Sequence, residues 1–234
     1  MTKKMTQEEI TKEMIRNGVV LGHKKSKTHP KMRPFISMNK NEIELLNPIT
    51  SWETIEKAIE VLKEKLSGDG FMLVVGTKPA AKATVKQFAD DMGYPLVISR
   101  WLGGTLTNFS VIKGRIMHYE TLKDKQARGL FAKYTKKEQL DFTKEIAKMS
   151  KTFEGLLKLK RLPSVLFVVD GEAHLTAIRE ARRLHIPVVA IIDSNDNPTL
   201  VDYPIVANDH SRKSIEWVIG HIKEAIVSIP KKTE

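Results

Sequence analysis

The 234-residue chain contains no cysteine. That excludes disulfides, thiolate metal sites and cysteine nucleophiles, and a chain of this length can bury a core without such staples. No continuous apolar run approaches the roughly 20 residues a membrane-spanning helix requires. The first twenty residues, MTKKMTQEEITKEMIRNGVV, mix both charges and lack the apolar stretch of a signal peptide. A cytoplasmic protein with no membrane partner is expected. Seven histidines are present, but none are spaced as H-x-x-H or H-x-x-x-H, so no metal is expected. Also missing is any acidic residue between Arg16 and Lys40.

What the chain has in excess is positive charge, a net +11, and it is segregated. Residues 1–40 carry 10 Lys/Arg against 3 Asp/Glu, a balance of +7, and residues 113–161 carry 14 against 6, a balance of +8. The intervening 41–112 and the remaining 162–234 are each at −2, from 7 against 9 and 8 against 10. Two basic segments flanking a mildly acidic body are the electrostatic footprint of a polyanion binder.

The hydrophobic pattern alternates between strand and helix on both sides of the second basic segment. Helices are predicted over 7–17, 52–66 (with Ser51 as cap), 79–92, 172–184 and 211–227, and strands over 71–75, 96–98, 165–169, 188–192 and 205–206. A strand pair at Phe35-Ile36 and Ile43–Leu46 is expected around a turn at Met38-Asn39-Lys40-Asn41. Between 98 and 165 the alternation stops. Phe109, Ile112, Ile116 and Tyr119, then Phe142, Ile146, Met149 and Phe153, form two narrow apolar seams over 107–126 and 135–154. Seams of that width suit two helices packed antiparallel, with the tip at Ala127-Arg128-Gly129-Leu130. The expected fold class is α/β: a three-layer parallel sheet interrupted by a coiled-coil-like helical hairpin. The body is 1–104 and 162–234, the insertion 105–161.

Open α/β sheets bind ligands at the carboxyl ends of their strands. Gly76-Thr77-Lys78 occupies such an end, where backbone N–H groups can cradle a phosphate, but it lacks the glycine spacing of a nucleotide-binding loop. Asp170 and Asp193 also end strands and would suit a Mg²⁺-dependent phosphotransfer enzyme. Asp170 equally suits an N-cap, and Asp193-Ser194-Asn195-Asp196-Asn197-Pro198 reads as turn chemistry. No catalytic residues, metal ligands or cofactor are assigned.

The basic elements make the stronger candidates. Lys24, Lys25, Lys27, Lys31 and Arg33 lie on a loop braced by Pro30 and Pro34, suited to neutralising several phosphates at once. Lys78 is a further phosphate candidate. On the hairpin, Lys113, Arg115, Lys136 and Lys137 lead a lysine-rich surface that continues through Lys144, Lys148 and Lys151. Nothing in these segments specifies a base, so shape recognition of folded RNA is expected.

The junction before the hairpin, Arg100-Trp101-Leu102-Gly103-Gly104-Thr105-Leu106-Thr107-Asn108-Phe109, carries a glycine pair for a sharp turn, with Thr105 or Thr107 as a possible helix cap. Arg100, Trp101 and Asn108 are placed among the RNA-facing candidates; Trp101 and Phe109 either stack on a base or pack at the hinge.

This string closely resembles the signature of the bacterial small-subunit ribosomal protein S2 family. Gly22-His23-Lys24 with His29–Ile36, Val75-Gly76-Thr77-Lys78, Leu166–Asp170 and Ile186–Asp193 resemble its other motifs, in order. The pattern departs at Pro79, where the family usually has a basic residue, and the chain stops at Lys231-Lys232-Thr233-Glu234 without a longer tail, so no tail function is expected. The resemblance implies a flavodoxin-like body and a non-catalytic, ribosome-bound component of the small subunit. It also implies small-subunit rRNA and neighbouring ribosomal proteins as partners, with no self-association. Its place would be near the head–body junction on the side where messenger RNA leaves, helping to dock protein S1.

Overall fold

A computed structural model describes residues 6–227; the Met1–Met5 and Lys231–Glu234 ends considered above lie outside the described residues. Five strands, β4 (Met72–Val75), β5 (Leu96–Val97), β6 (Val165–Val169), β7 (Val188–Ile192) and β8 (Tyr203–Val206), form a parallel sheet in the order β5-β4-β6-β7-β8. The runs MLVV, VLFVV and VVAII are buried residue for residue, as strands covered on both faces must be.

Their alternate side chains enter two separate cores. Met72, Val74, Val165, Phe167 and Val169 face one, together with Ile55 and Leu62 of α2 (Pro48–Leu66), Val85 and Phe88 of α3 (Pro79–Met92) and Ile215 and Ile222 of α7 (Arg212–Val227). Leu73, Val75, Leu166 and Val168 face the other, with Ala177, Ile178 and Ala181 of α6 (Leu175–Arg183). The three-layer α/β expectation is met.

Between β5 and β6 the chain makes α4 (Phe109–Ala127) and α5 (Lys136–Phe153), which pack on each other. Ile112, Ile116, Tyr119 and Leu122 of α4 meet Ile146 and Phe153 of α5, with Phe142 and Met149 half-buried, so the seam runs one turn beyond Tyr119. Gly129 turns the tip at φ +67°, and Thr135 opens α5 in a reciprocal capping box with Glu138. The hairpin root is not free of the body: Ile112, Ile116 and Phe153 share the second core with the sheet.

Several local expectations are corrected. The basic segment is not simply a loop: β1 (Leu21–Lys24) pairs antiparallel with β3 (Ile43–Leu46), which also pairs with β2 (Ile36–Lys40). After β1, Lys25–Lys27 and Pro30–Phe35 are 3₁₀ turns, the second pinned by the fully buried Met32. The β2–β3 turn is Asn41-Glu42, both at positive φ (51° and 65°), so Met38–Lys40 extend the strand instead of turning. α2 starts at Pro48, capped by the Asn47 side chain accepting from the Ile49 N–H; Ser51 is buried within the helix. Neither threonine caps α4, for a reason given below. No helix among the described residues is long and apolar enough to cross a membrane.

Two glycines report on the hairpin. At Gly155, just past α5, an added Cβ would run into the Leu96 carbonyl of the edge strand. Gly155→Ala is therefore expected to cost about 1–3 kcal/mol in urea denaturation. Gly114, mid-α4 and open to solvent, leaves room for a Cβ, and Gly114→Ala is expected to add about 0.5–1 kcal/mol.

Candidate nucleic-acid interface

The Arg100–Phe109 junction is organised by one carboxylate that sequence reasoning did not single out, Glu180 on α6. It is 8% exposed and accepts from the Trp101 Nε1–H (2.9 Å) and from the backbone N–H groups of Gly104 (2.8 Å), Leu106 (3.0 Å) and Thr107 (3.1 Å). The Thr107 hydroxyl adds a further bond at 3.1 Å. Burial alone would push this carboxyl up, but the hydrogen bonds from Trp101 and the backbone outweigh it and hold it below its ordinary value. Thr107 is thus committed to Glu180 and Thr105 to the Leu102 carbonyl, and Asn108 begins α4 without a side-chain cap. Trp101 and Phe109 are partly buried and pack against the second core.

A second constellation sits where β4 and β6 part, the position at which such sheets take ligands. Here the crevice receives the chain's own Lys78. Its ammonium contacts Asp170, lies 3.9 Å from Asp209, and is 3.1 Å from His210 Nε2. Lys78, offered above as a phosphate contact, is therefore committed inside the fold. Asp170 sits at φ +77° and accepts from the Ala173 N–H, but it caps neither helix: the N-caps of the 3₁₀ turn Glu172–His174 and of α6 are Gly171 and His174.

Close by, His23 Nδ1 lies 3.1 Å from the Asp193 carboxylate and its ring meets His210 edge-on, with centroids 4.4 Å apart. The bond to Asp193 raises the His23 pKa, while burial pushes Asp209 up to about 7 and Asp196 up to about 6. Two triads, His23/Asp193/His210 and Asp170/Asp196/Asp209, each bring ligand atoms within 4.8 Å of one another and could hold a divalent cation. Asp170 and Asp193, the strand-end aspartates considered above, each belong to one of these sets, whose other members only the fold brings to them.

The remaining cationic candidates are displayed on the surface. Lys24, Lys25, Lys27, Lys31 and Arg33 are all exposed. Their segment is held to the body by the His29 N–H donating to the Ser194 carbonyl (2.8 Å) and the Lys25 N–H to the Glu42 carbonyl (2.8 Å). Lys31 reaches the Thr199 hydroxyl at 3.0 Å. Arg100, Asn108, Lys113, Arg115, Lys136 and Lys137 are exposed along the junction and hairpin. None of these cations is in an ion pair among the described residues, whereas the body pairs Lys86 with Asp90, Lys223 with Asp91 and Arg212 with Glu216.

Glu180→Ala would leave four N–H donors without their acceptor and is expected to cost about 3–5 kcal/mol in urea denaturation, with Glu180→Gln intermediate. A pH effect is expected from His174. Its Nδ1–H donates to the Asp170 carbonyl (2.8 Å), its Nε2 accepts from Thr77 (3.0 Å), and burial, followed by the Lys78 charge, lowers its pKa to about 4. The unfolded chain then binds the extra proton first. The contribution of His174 is present above about pH 6.5 and is lost by about 3 kcal/mol as pH falls to 4. Asp209 and Asp196 titrate in the opposite sense, so the stability gap between wild type and His174→Gln, followed by thermal unfolding, should narrow across that window.

The family model described as Ribosomal protein S2 matches residues 14–228. The chain is 40% identical over 214 residues to the small ribosomal subunit protein uS2 of Parabacteroides distasonis, covering 92% of this chain and 77% of that protein. It is 38% identical over 226 residues to the protein of that name from Rhodopirellula baltica, covering 97% and 87%. With the Fusobacterium nucleatum protein it shares 39% over 217 residues, covering 92% and 88%.

Proposed function

The chain belongs to the ribosomal protein S2 family, and from that premise we propose how it works in the small ribosomal subunit. It is a structural ribosomal protein and not an enzyme. Its partner is small-subunit rRNA, held through backbone phosphates by two separate cationic elements. One is the Lys24–Arg33 segment and the other the hairpin with its junction, including Arg100, Lys113, Arg115, Lys136 and Lys137. The body, 1–104 and 162–234, acts as a spacer that fixes the distance and angle between them, and 105–161 is the arm.

The observation that carries this reading is the division of charge: the net positive charge is concentrated in the two elements, and Lys24, Lys25, Lys27, Lys31, Arg33, Arg100, Lys113, Arg115, Lys136 and Lys137 are all exposed and in no ion pair among the described residues, whereas Lys78, Lys86, Arg212 and Lys223 of the body meet its own carboxylates. Cations left unpaired on a rigid frame release counterions when they meet phosphate, which gives affinity without base specificity. Lys78 is left out because its charge is satisfied internally. The same family membership supports a location in the cytoplasm on the ribosome, near the head–body junction where messenger RNA leaves, beside other small-subunit proteins and S1.

Replacing Lys24, Lys25 and Lys27 together by alanine should weaken association with small subunits and flatten its salt dependence, by about one unit of slope for each phosphate no longer neutralised. Thermal unfolding of the free protein should be unchanged. Gradient sedimentation with stepped salt washes is the measurement. A triple variant that associates like wild type at every salt concentration overturns the electrostatic reading.

A further inference from the structure

Beside the Glu180-anchored turn, two adjoining cavities of about 230 Å³ and about 480 Å³ share Leu102 and Arg115 in their walls and together make a groove-like surface along the root of the hairpin. Its walls are of three kinds. Arg115 and Lys148 supply two cations that are unpaired among the described residues, while the groove's carboxylate, Glu145, is turned to His118 at 3.4 Å. At one end Gly103 is exposed, with open space around the position of an added Cβ and no acceptor for its N–H among the described residues, and the Asn108 side-chain amide has no hydrogen bond among the described residues, its backbone N–H donating to the Gly104 carbonyl. Between these lies an apolar strip of Leu102 and Val111, the latter 51% exposed.

A further cavity of about 430 Å³ opens at the foot of α5, with Lys151, Lys158 and Glu154 among its lining. There Glu154 neutralises Lys123 at 2.7 Å, and Tyr119 donates to the same carboxylate.

We propose that this groove takes a single strand of RNA backbone, with successive phosphates on Arg115 and Lys148, riboses lying on Leu102 and Val111, and the glycine turn allowing the strand to approach the protein main chain. The proposal rests on the rRNA-binding reading above and sharpens it: it names the face of the hairpin that meets RNA. The chemistry favours RNA over a protein segment. Two unpaired cations beside an apolar strip, with N–H donors at one end, offer partners for both the phosphates and the sugars of a strand. The Glu180 anchor supplies the rigidity, because the turn that forms one lip of the groove is fixed by four N–H donors to a buried carboxylate.

The absence of cysteine makes the test direct. Gly103→Cys and Lys137→Cys are each coupled to an iron–EDTA tether, and the full-length proteins are bound to small subunits washed free of this protein. Hydroxyl-radical cleavage of rRNA and of neighbouring proteins is then mapped. Separately, Arg115→Ala/Lys148→Ala is assayed for subunit association across a salt series, with thermal unfolding as the folding control. The expected results are a short cluster of rRNA cuts from position 103, and a double variant that folds normally, binds about tenfold more weakly at low salt and has a salt slope shallower by about 2.

Cuts from 137 but none from 103, or a double variant with wild-type salt dependence, overturn the groove and leave the broader rRNA reading standing. Cleavage from 103 confined to a neighbouring protein makes the groove a protein site and equally overturns the proposal. Failure of even the wild-type chain to associate removes the rRNA reading, and the groove falls with it.

Discussion

The structure depends on a buried carboxylate that has given up water for hydrogen bonds from the chain itself. Glu180 comes from the helix that covers one face of the sheet, and its donors all come from the ten residues that leave the sheet for the hairpin. A charged group removed from solvent is tolerable only when donors replace the lost hydration. The bonds therefore specify where the junction turns, how Trp101 is seated and at what angle α4 departs. The second root is secured by different means, with Ser99 bonded to the Lys151 carbonyl at 2.5 Å and Gly155 pressed against the edge strand. Between them an arm that would otherwise swing is made continuous with the body.

The same economy governs the strand ends. A parallel sheet of this order leaves a crevice beside its first strand, and in enzymes built this way a phosphate or a metal-bound substrate enters there. In this chain Lys78 occupies that position against Asp170 and Asp209, and His174 closes over Thr77. The fold keeps the architecture of a ligand-binding protein, while the exposed cations of the segment after β1 and of the arm point outward.

Much of this was legible in the sequence, and the boundary of legibility has a physical cause. β6, β7 and α3 follow the expected limits residue for residue, because each rests on local pattern: continuous apolar runs for strands covered on both faces, and proline at the first position of a helix. The hairpin was readable from two seams for the same reason. What escaped was every feature whose partner lies far along the chain. Glu180 looks like a polar residue on an amphipathic helix until Trp101 arrives from 79 residues away. His23 bonds Asp193, and no local spacing encodes that pairing. β1 was hidden because Leu21-Gly22-His23-Lys24 is too short and too polar to declare itself without β3 beside it. Thr105 and Thr107 were chemically able to cap α4, and competition from Leu102 and Glu180 decided otherwise.

The placement of the hairpin within the crossover from β5 to β6 also orders the biography of the chain. Strand β4 finds its first partner, Leu96, soon after it is made, but its inner neighbour begins at Val165, beyond the whole arm. During synthesis at roughly 5–20 residues per second, β4 waits several seconds for that neighbour, whereas α4 and α5 have each other as soon as both have emerged. The arm's helix–helix contacts are local and the body's are not, so α4 and α5 can pair before the sheet behind them closes, while the contacts of their roots wait for β6 and α6. A nascent chain of this design acquires its reach before it acquires its frame.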